Sequence, residues 1–269
     1  MYTAKIHLHA GQAGLLGGQG WWAACCPYSK QPHPIRVCRI WISIDFYEGF
    51  HVTSTHRSKP MHHLIVLGDS ILENAAYTDA GPAVIDQVCQ QLPAGWRTSL
   101  LAADGDTCAA LPQQLTRLPA DATHLALSVG GNDALGCIVQ LEAPASSVKQ
   151  GLSVLSKTQA DLHTHYRATI DAVRALNLPL MVCTIYDNVP GLSAELRTAL
   201  ALFNDVILRE AIEQGLPVLD LRMVCTDPDD YCATSPIEPS SQGCVKLATA
   251  LVAAMVKHDF AERGCHVYG

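Results

Sequence analysis

The amino-acid sequence predicts an α/β fold: a doubly wound parallel sheet with helices on both faces. Three observations lead there. Five short, mostly apolar runs lie at 64–67, 98–103, 124–129, 180–185 and 216–221. Runs of this length, bounded by turn residues, read as strands buried on both faces. Longer stretches between them carry apolar residues at helical spacing, and strands alternating with helices are the pattern of βαβ units. The first three runs also end in turns rich in Gly, Asp, Ser and Asn, at the carboxyl edge where open α/β sheets place their sites.

Taken in order, Leu64–Leu67 is the first strand and runs straight into Gly68-Asp69-Ser70. A helix is expected from Ala75 to Leu92, with Val84, Ile85 and Val88 on its apolar side, and Pro93-Ala94-Gly95 ends it. Thr98–Ala103 is the second strand, followed by a helix over Thr107–Leu118 that starts at a threonine cap. His124–Val129 is the third strand and ends at Gly130-Gly131-Asn132-Asp133. Residues 147–176 read as one long helix or a broken pair, striped by Leu155, Leu162, Tyr166, Ile170 and Val173. Leu180–Ile185 is the fourth strand. Ala194–Gln214 is an amphipathic helix closed by Gly215. Leu216–Leu221 is the fifth strand, and Ser240–Val256 is the last helix, capped by Ser240.

Residues 1–60 differ in character. They hold three of the four tryptophans, and only Val37–Phe46 resembles a strand. They carry six Lys+Arg against two Asp+Glu, whereas the remaining residues carry 12 against 23. The segment is expected to be an appendage, disordered or loosely attached, to a domain spanning 61–269, with Met61 read as the natural start. Gly11–Gly20 is too polar for the apolar core of a signal peptide, so a cytoplasmic location is expected. The eleven cysteines include no CxxC pair and read as reduced thiols that pack as small hydrophobes.

With 269 residues, 49% of them hydrophobic and 16% charged, the chain can bury a sizeable core. No apolar run reaches the length of a membrane span. The acidic balance of 61–269 argues against a nucleic-acid partner. Oligomeric state is not readable.

Chemistry gathers at three strand ends. Ser70 follows the first strand, Gly105 the second, within Asp104-Gly105-Asp106-Thr107, and Asn132 the third. A serine nucleophile needs donors aimed at the oxygen that becomes negative. A glycine N–H, an asparagine amide and the N–H of Ser70 itself are suitable. On these residues the chain resembles the SGNH, or GDSL, hydrolases over most of Met61 to His258. Gly68-Asp69-Ser70 looks like the family's first block, Gly105 its second and Gly131-Asn132-Asp133 its third. The resemblance implies a three-layer α/β/α sandwich with a five-stranded flavodoxin-like sheet. It also implies hydrolysis of small-molecule esters without a cofactor or metal. Ser70 would be the nucleophile, Gly105 and Asn132 would complete the oxyanion hole, and Asp69, Gly131 and Asp133 would be binding residues beside it.

The fourth block departs from the family. Where Asp-x-x-His is usual, Ser235-Pro236-Ile237-Glu238 stands, followed by a matching Pro239-Ser240-Ser241-Gln242-Gly243. A glutamate ordinarily titrates near pH ~4.3 and is a weak base toward a hydroxyl, although burial raises that value. Two readings stay open. Glu238 is the base of a Ser–Glu dyad or orients Ser70; or it serves the last helix, and the chain keeps the pocket as a binding module with weak or lost turnover. His62, His63 and His124 precede their strands and belong at the opposite edge. His163 and His165 read as solvated, and His258 and His266 lie at the C-terminus. A weaker third reading gathers Asp69, Asp104, Asp133, Asp187 and Asp220 into an acidic cluster for Mg²⁺-dependent phosphoester hydrolysis.

Overall fold

The computed structural model describes residues 62–78 and 81–269. The expected appendage and the strand over Val37–Phe46 therefore lie outside the described residues. The strands are β1 (His62–Gly68), β2 (Trp96–Leu100), β3 (His124–Ser128), β4 (Leu180–Cys183), β5 (Val218–Leu219) and β6 (Val267–Tyr268). The helices are α1 (Val84–Gln91), α2 (Leu111–Leu115), α3 (Gly131–Gly136), α4 (Ile138–Leu141), α5 (Val148–Arg174), α6 (Ala194–Gln214), α7 (Leu221–Val224) and α8 (Ser241–Lys257).

The strands form one sheet in the order β2-β1-β3-β4-β5-β6, all parallel. Helix α1 packs on α8, and α5 packs on α6. The strands are buried as expected: Leu64, Ile65, Leu67, Leu125 and Leu127 are fully enclosed. The chain leaves β1 toward β2 in one direction and β3 toward β4 in the other, so the carboxyl ends of β1 and β3 flank the point where the winding reverses. That is where doubly wound folds open a crevice for a ligand.

The sheet has six strands rather than five. Val267 and Tyr268 pair with Val218 and Leu219, and a two-residue strand is too short to show a period. Other expected elements are shorter than the periodicity implied. The 75–92 stretch splits into a 3-10 turn over Ala75–Tyr77 and α1, because Gly81-Pro82 interrupts it. Strand β5 contracts because Asp220 turns away to cap α7, its side chain accepting from the Arg222 N–H. The 107–118 helix starts without a bond from the Thr107 side chain. The Cys108 N–H donates instead to Asp133 Oδ2 at 3.0 Å, across the sheet edge. By contrast α6 has the predicted bounds, and α5 is one unbroken helix whose cap, Ser147, accepts from the Gln150 N–H.

Cys108, Cys183, Cys225 and Cys244 are buried free thiols. Burial pushes Cys183 and Cys225 up to about 12, so they pack as apolar groups. Among the described residues no helix is long and apolar enough to cross a membrane.

Candidate active site

The turn after β1 is built by backbone constraint. Gly68 sits at φ +126° with its backbone against the Ser128 carbonyl, and the Asp69 N–H donates to that carbonyl at 3.0 Å. Asp69 Oδ1 accepts from the Ile71 N–H at 3.2 Å, while its carbonyl accepts from the N–H groups of Leu72 and Glu73. Ser70 is thereby held at the tip of the strand, only 7% exposed. Gln114 fixes the turn from α2. Its Oε1 accepts from the Gly68 N–H at 2.9 Å, and its Nε2 donates to the Gly68 carbonyl at 2.7 Å and to Asp106 Oδ2 at 2.8 Å. Nothing in the motif names Gln114. Its signal is the spacing: it stands three residues after buried Leu111, on the inner face of its helix.

Glu238 reaches the same place from the far end of the chain. It is buried, and the Ser70 hydroxyl donates to its carboxylate. Its segment is tied on every side. The Tyr186 hydroxyl donates to the Ile237 carbonyl at 2.6 Å. The Cys232 N–H donates to the Glu238 carbonyl at 2.8 Å. Asn74 Nδ2 donates to the Pro239 carbonyl at 3.3 Å. The Ser235 carbonyl accepts the Glu238 N–H at 2.8 Å in a tight turn. Burial pushes the Glu238 carboxyl up to about 7; the Ser70 hydrogen bond opposes this, and the charges of Asp104 and Glu73 add to it. Such a carboxyl can take and return a proton near neutral pH. Its Oε2 is buried without a hydrogen-bond partner.

Asp69 is a second buried carboxyl, 1% exposed. Its Oδ2 faces Gly131 without a well-formed hydrogen bond: a Cβ on Gly131 would lie 3.4 Å from it. Burial pushes Asp69 up to about 7 as well, opposed by the N–H groups of Ile71 and Gly131 and reinforced by Glu238 and Asp133.

The remaining motif residues divide. Asn132 and Gly131 line the cavity beside Ser70, and Asn132 Nδ2 donates to the Asp106 carbonyl at 3.0 Å, which orients its amide. Gly105 is exposed, with φ +79°, at the third position of a turn closed by the Asp106 N–H and the Ala103 carbonyl. Gly105 and Asp133 are not among the lining residues; Asp133 spends its Oδ2 on Cys108.

Among the described residues no histidine lines the cavity. His62 and His124 stack around Trp96 at the opposite sheet edge, and His63 joins Asp121 and Ser99 there. His163 is not simply solvated: its Nε2 lies 2.7 Å from Oε1 of buried Glu210, joining α5 to α6. Nor do the aspartates converge. Asp220 is bonded to Arg222 and Thr184, and Asp104 accepts from the Tyr77 hydroxyl. Among the described residues no three His, Cys, Asp or Glu side chains gather as metal ligands.

From Ser70 a cavity of about 110 Å³, counted as space open to the centre of a water molecule, runs between α3–α4 and α6. Its walls are mostly apolar and include Ile71, Leu135, Ile138, Leu155, Leu200 and Phe203. Helices α3 and α4, which the periodicity did not reveal, form one wall.

The model of the GDSL-like lipase/acylhydrolase family matches residues 66–244. Several solved structures share the fold. An extracellular lipase from Streptomyces rimosus is 16% identical, with a TM-score of 0.51 over 72% of this chain and 99% of that one. A lipase from a goat rumen metagenome is 18% identical, with a TM-score of 0.56 over 72% and 97%. An acetyl xylan esterase from Geobacillus stearothermophilus is 15% identical, with a TM-score of 0.55 over 73% and 95%. No curated protein matches.

Proposed function

The chain belongs to the GDSL-like lipase/acylhydrolase family, and from that premise we propose that it hydrolyses carboxylic esters through an acyl-enzyme on Ser70, with Glu238 as general base. The observation that carries this reading is the hydrogen bond from the Ser70 hydroxyl to a buried carboxylate at the mouth of an apolar cavity. Ser70 Oγ attacks the ester carbonyl, and its proton passes to Glu238. The oxyanion is met by the Ser70 N–H and the Asn132 amide. Collapse expels the alkoxide, which takes the proton back from Glu238. Water, deprotonated by the same carboxylate, then releases the acid.

A fluorophosphonate probe tests the nucleophile. Capture at Ser70, located by peptide mass spectrometry, is expected. No capture by folded protein would favour a binding protein that keeps the pocket without turnover, the reading that Ser235 and Glu238 keep in view.

The apolar walls favour an unsubstituted acyl chain. At roughly 10–15 Å³ per water-sized group, the cavity takes a chain of several carbons. Butyrate to octanoate esters of p-nitrophenol are therefore expected to exceed acetate in kcat/KM. Ala199→Phe, at a lining position on α6, should reverse that order by filling the cavity. An unchanged chain-length profile in this variant would place the acyl group elsewhere.

A further inference from the structure

Two buried carboxyl groups share one site here, and among the described residues no Lys, Arg or His lines it. Asp69 is 1% exposed and Glu238 3% exposed, and each has a buried oxygen without a hydrogen-bond partner. Besides the backbone N–H groups of Ile71 and Gly131, which favour its charged form, the groups that act on Asp69 are Glu238, Asp133 and, from the sheet side, Cys108, Cys183 and Tyr186. Those acting on Glu238 are Ser70, Asp104, Glu73, Tyr77 and Tyr186. The side chains among them are carboxyls, thiols and hydroxyls, none of them a cation. Two ionised carboxylates in such surroundings repel each other and lack solvation.

The position of Asp69 adds a second requirement. Its Oδ2 lies against Gly131, next to Asn132. An ionised Asp69 would set a negative charge behind the place where the ester oxygen becomes negative, and would oppose the transition state that the donors there stabilise. A protonated Asp69 removes that charge.

We propose that Asp69 is a positioning residue that holds a proton through the reaction, so that the active site carries a single proton on the Asp69–Glu238 pair, with Asp69 neutral and Glu238 ionised. This rests on the serine-hydrolase reading above. The doubly protonated pair has no base for Ser70, and the doubly ionised pair opposes the oxyanion. The two carboxyls then titrate in two macroscopic steps that belong to the pair. Their ordinary values are raised by burial to about 7 each, so the steps straddle neutrality. The rate rises with pH through the first step and falls through the second.

Two measurements test this. The first is the pH profile of kcat/KM for wild type and Asp69→Asn, whose amide has the shape of the neutral acid but cannot ionise. Wild type should fall about tenfold per pH unit beyond the upper step. In Asp69→Asn that alkaline limb should move up by at least about one unit or vanish, while the acidic limb stays. Superimposable profiles would overturn the proposal. The second is the carboxyl ¹³C titration of aspartate-labelled wild type, which needs no variant to fold. One aspartate should titrate well above the ordinary value of ~3.9. If every aspartate titrates below about pH 5, the proposal falls. Ser70→Ala separates the two levels. If it still hydrolyses the ester, the serine reading fails while the protonated aspartate stands. If it is inactive and every aspartate titrates normally, only the present inference fails.

Discussion

Glu238→Gln is expected to lower kcat/KM for an aryl butyrate by roughly 10²–10⁴-fold, the usual worth of a positioned acid–base group. The amide keeps the volume of the side chain, and its oxygen still accepts the Ser70 hydroxyl, but it cannot take the proton. The ties from Tyr186, Cys232 and Asn74 hold the backbone around it and do not involve the carboxyl, so the variant should fold. The pH dependence should change with the rate. Wild-type activity should rise with pH through the lower titration step of the Asp69–Glu238 pair, as Glu238 ionises; the glutamine variant should lose that rise. Stability has its own sign. The folded value lies above the ordinary value of 4.5, so the contribution of this group is full below about 4.5 and is lost as pH rises through about 7. Above that pH the variant should melt higher than wild type. A glutamine variant as active as its parent would put the proton acceptor elsewhere.

The second large effect is structural. A Cβ on Gly68 would lie 1.7 Å from the Ser128 carbonyl oxygen and 2.6 Å from its carbon. Both are backbone atoms that cannot rotate away. The φ of +126° is also one that alanine rarely adopts. Strain and overpacking each cost about 1–3 kcal/mol, so Gly68→Ala should lose on the order of 3–5 kcal/mol. For a domain of this size that lowers Tm by on the order of 10 °C. Because the Gly68 N–H and carbonyl are both bonded to Gln114, whatever remains folded should carry a displaced Ser70 and little activity. A melt within a degree or two of the parent would show that the turn after β1 relaxes more easily than its contacts imply.

The five apolar runs, the amphipathic stripe of α6 and the cap at Ser240 are local signals, each settled within a few residues, and they were legible in the chain. So were Ser70, Gly105 and Asn132 as members of one edge of a parallel sheet, since strand ends in this topology meet there, whereas Glu238 was legible only through the resemblance to the family's fourth block. Partners far apart in sequence were not legible. Gln114 holds Gly68 across 46 positions, and Asn74 holds Pro239 across 165. Asn204 pairs both the N–H and carbonyl of Ile185 from the buried side of α6. A polar residue on a helix gives no notice of which distant backbone it will satisfy, because only packing chooses the partner. The same holds for the fate of the acids. The sequence set five aspartates near strand ends, but the folded chain ties Asp104, Asp133 and Asp220 to separate partners and leaves Asp69 enclosed beside Glu238. Sequence by itself determined the five parallel strands of the α/β fold, the long helices between them and the turn that carries Ser70. The affinity of Glu238 and Asp69 for a proton was decided by the tertiary structure alone, because it depends on how much water the fold removes and on which charges it leaves nearby.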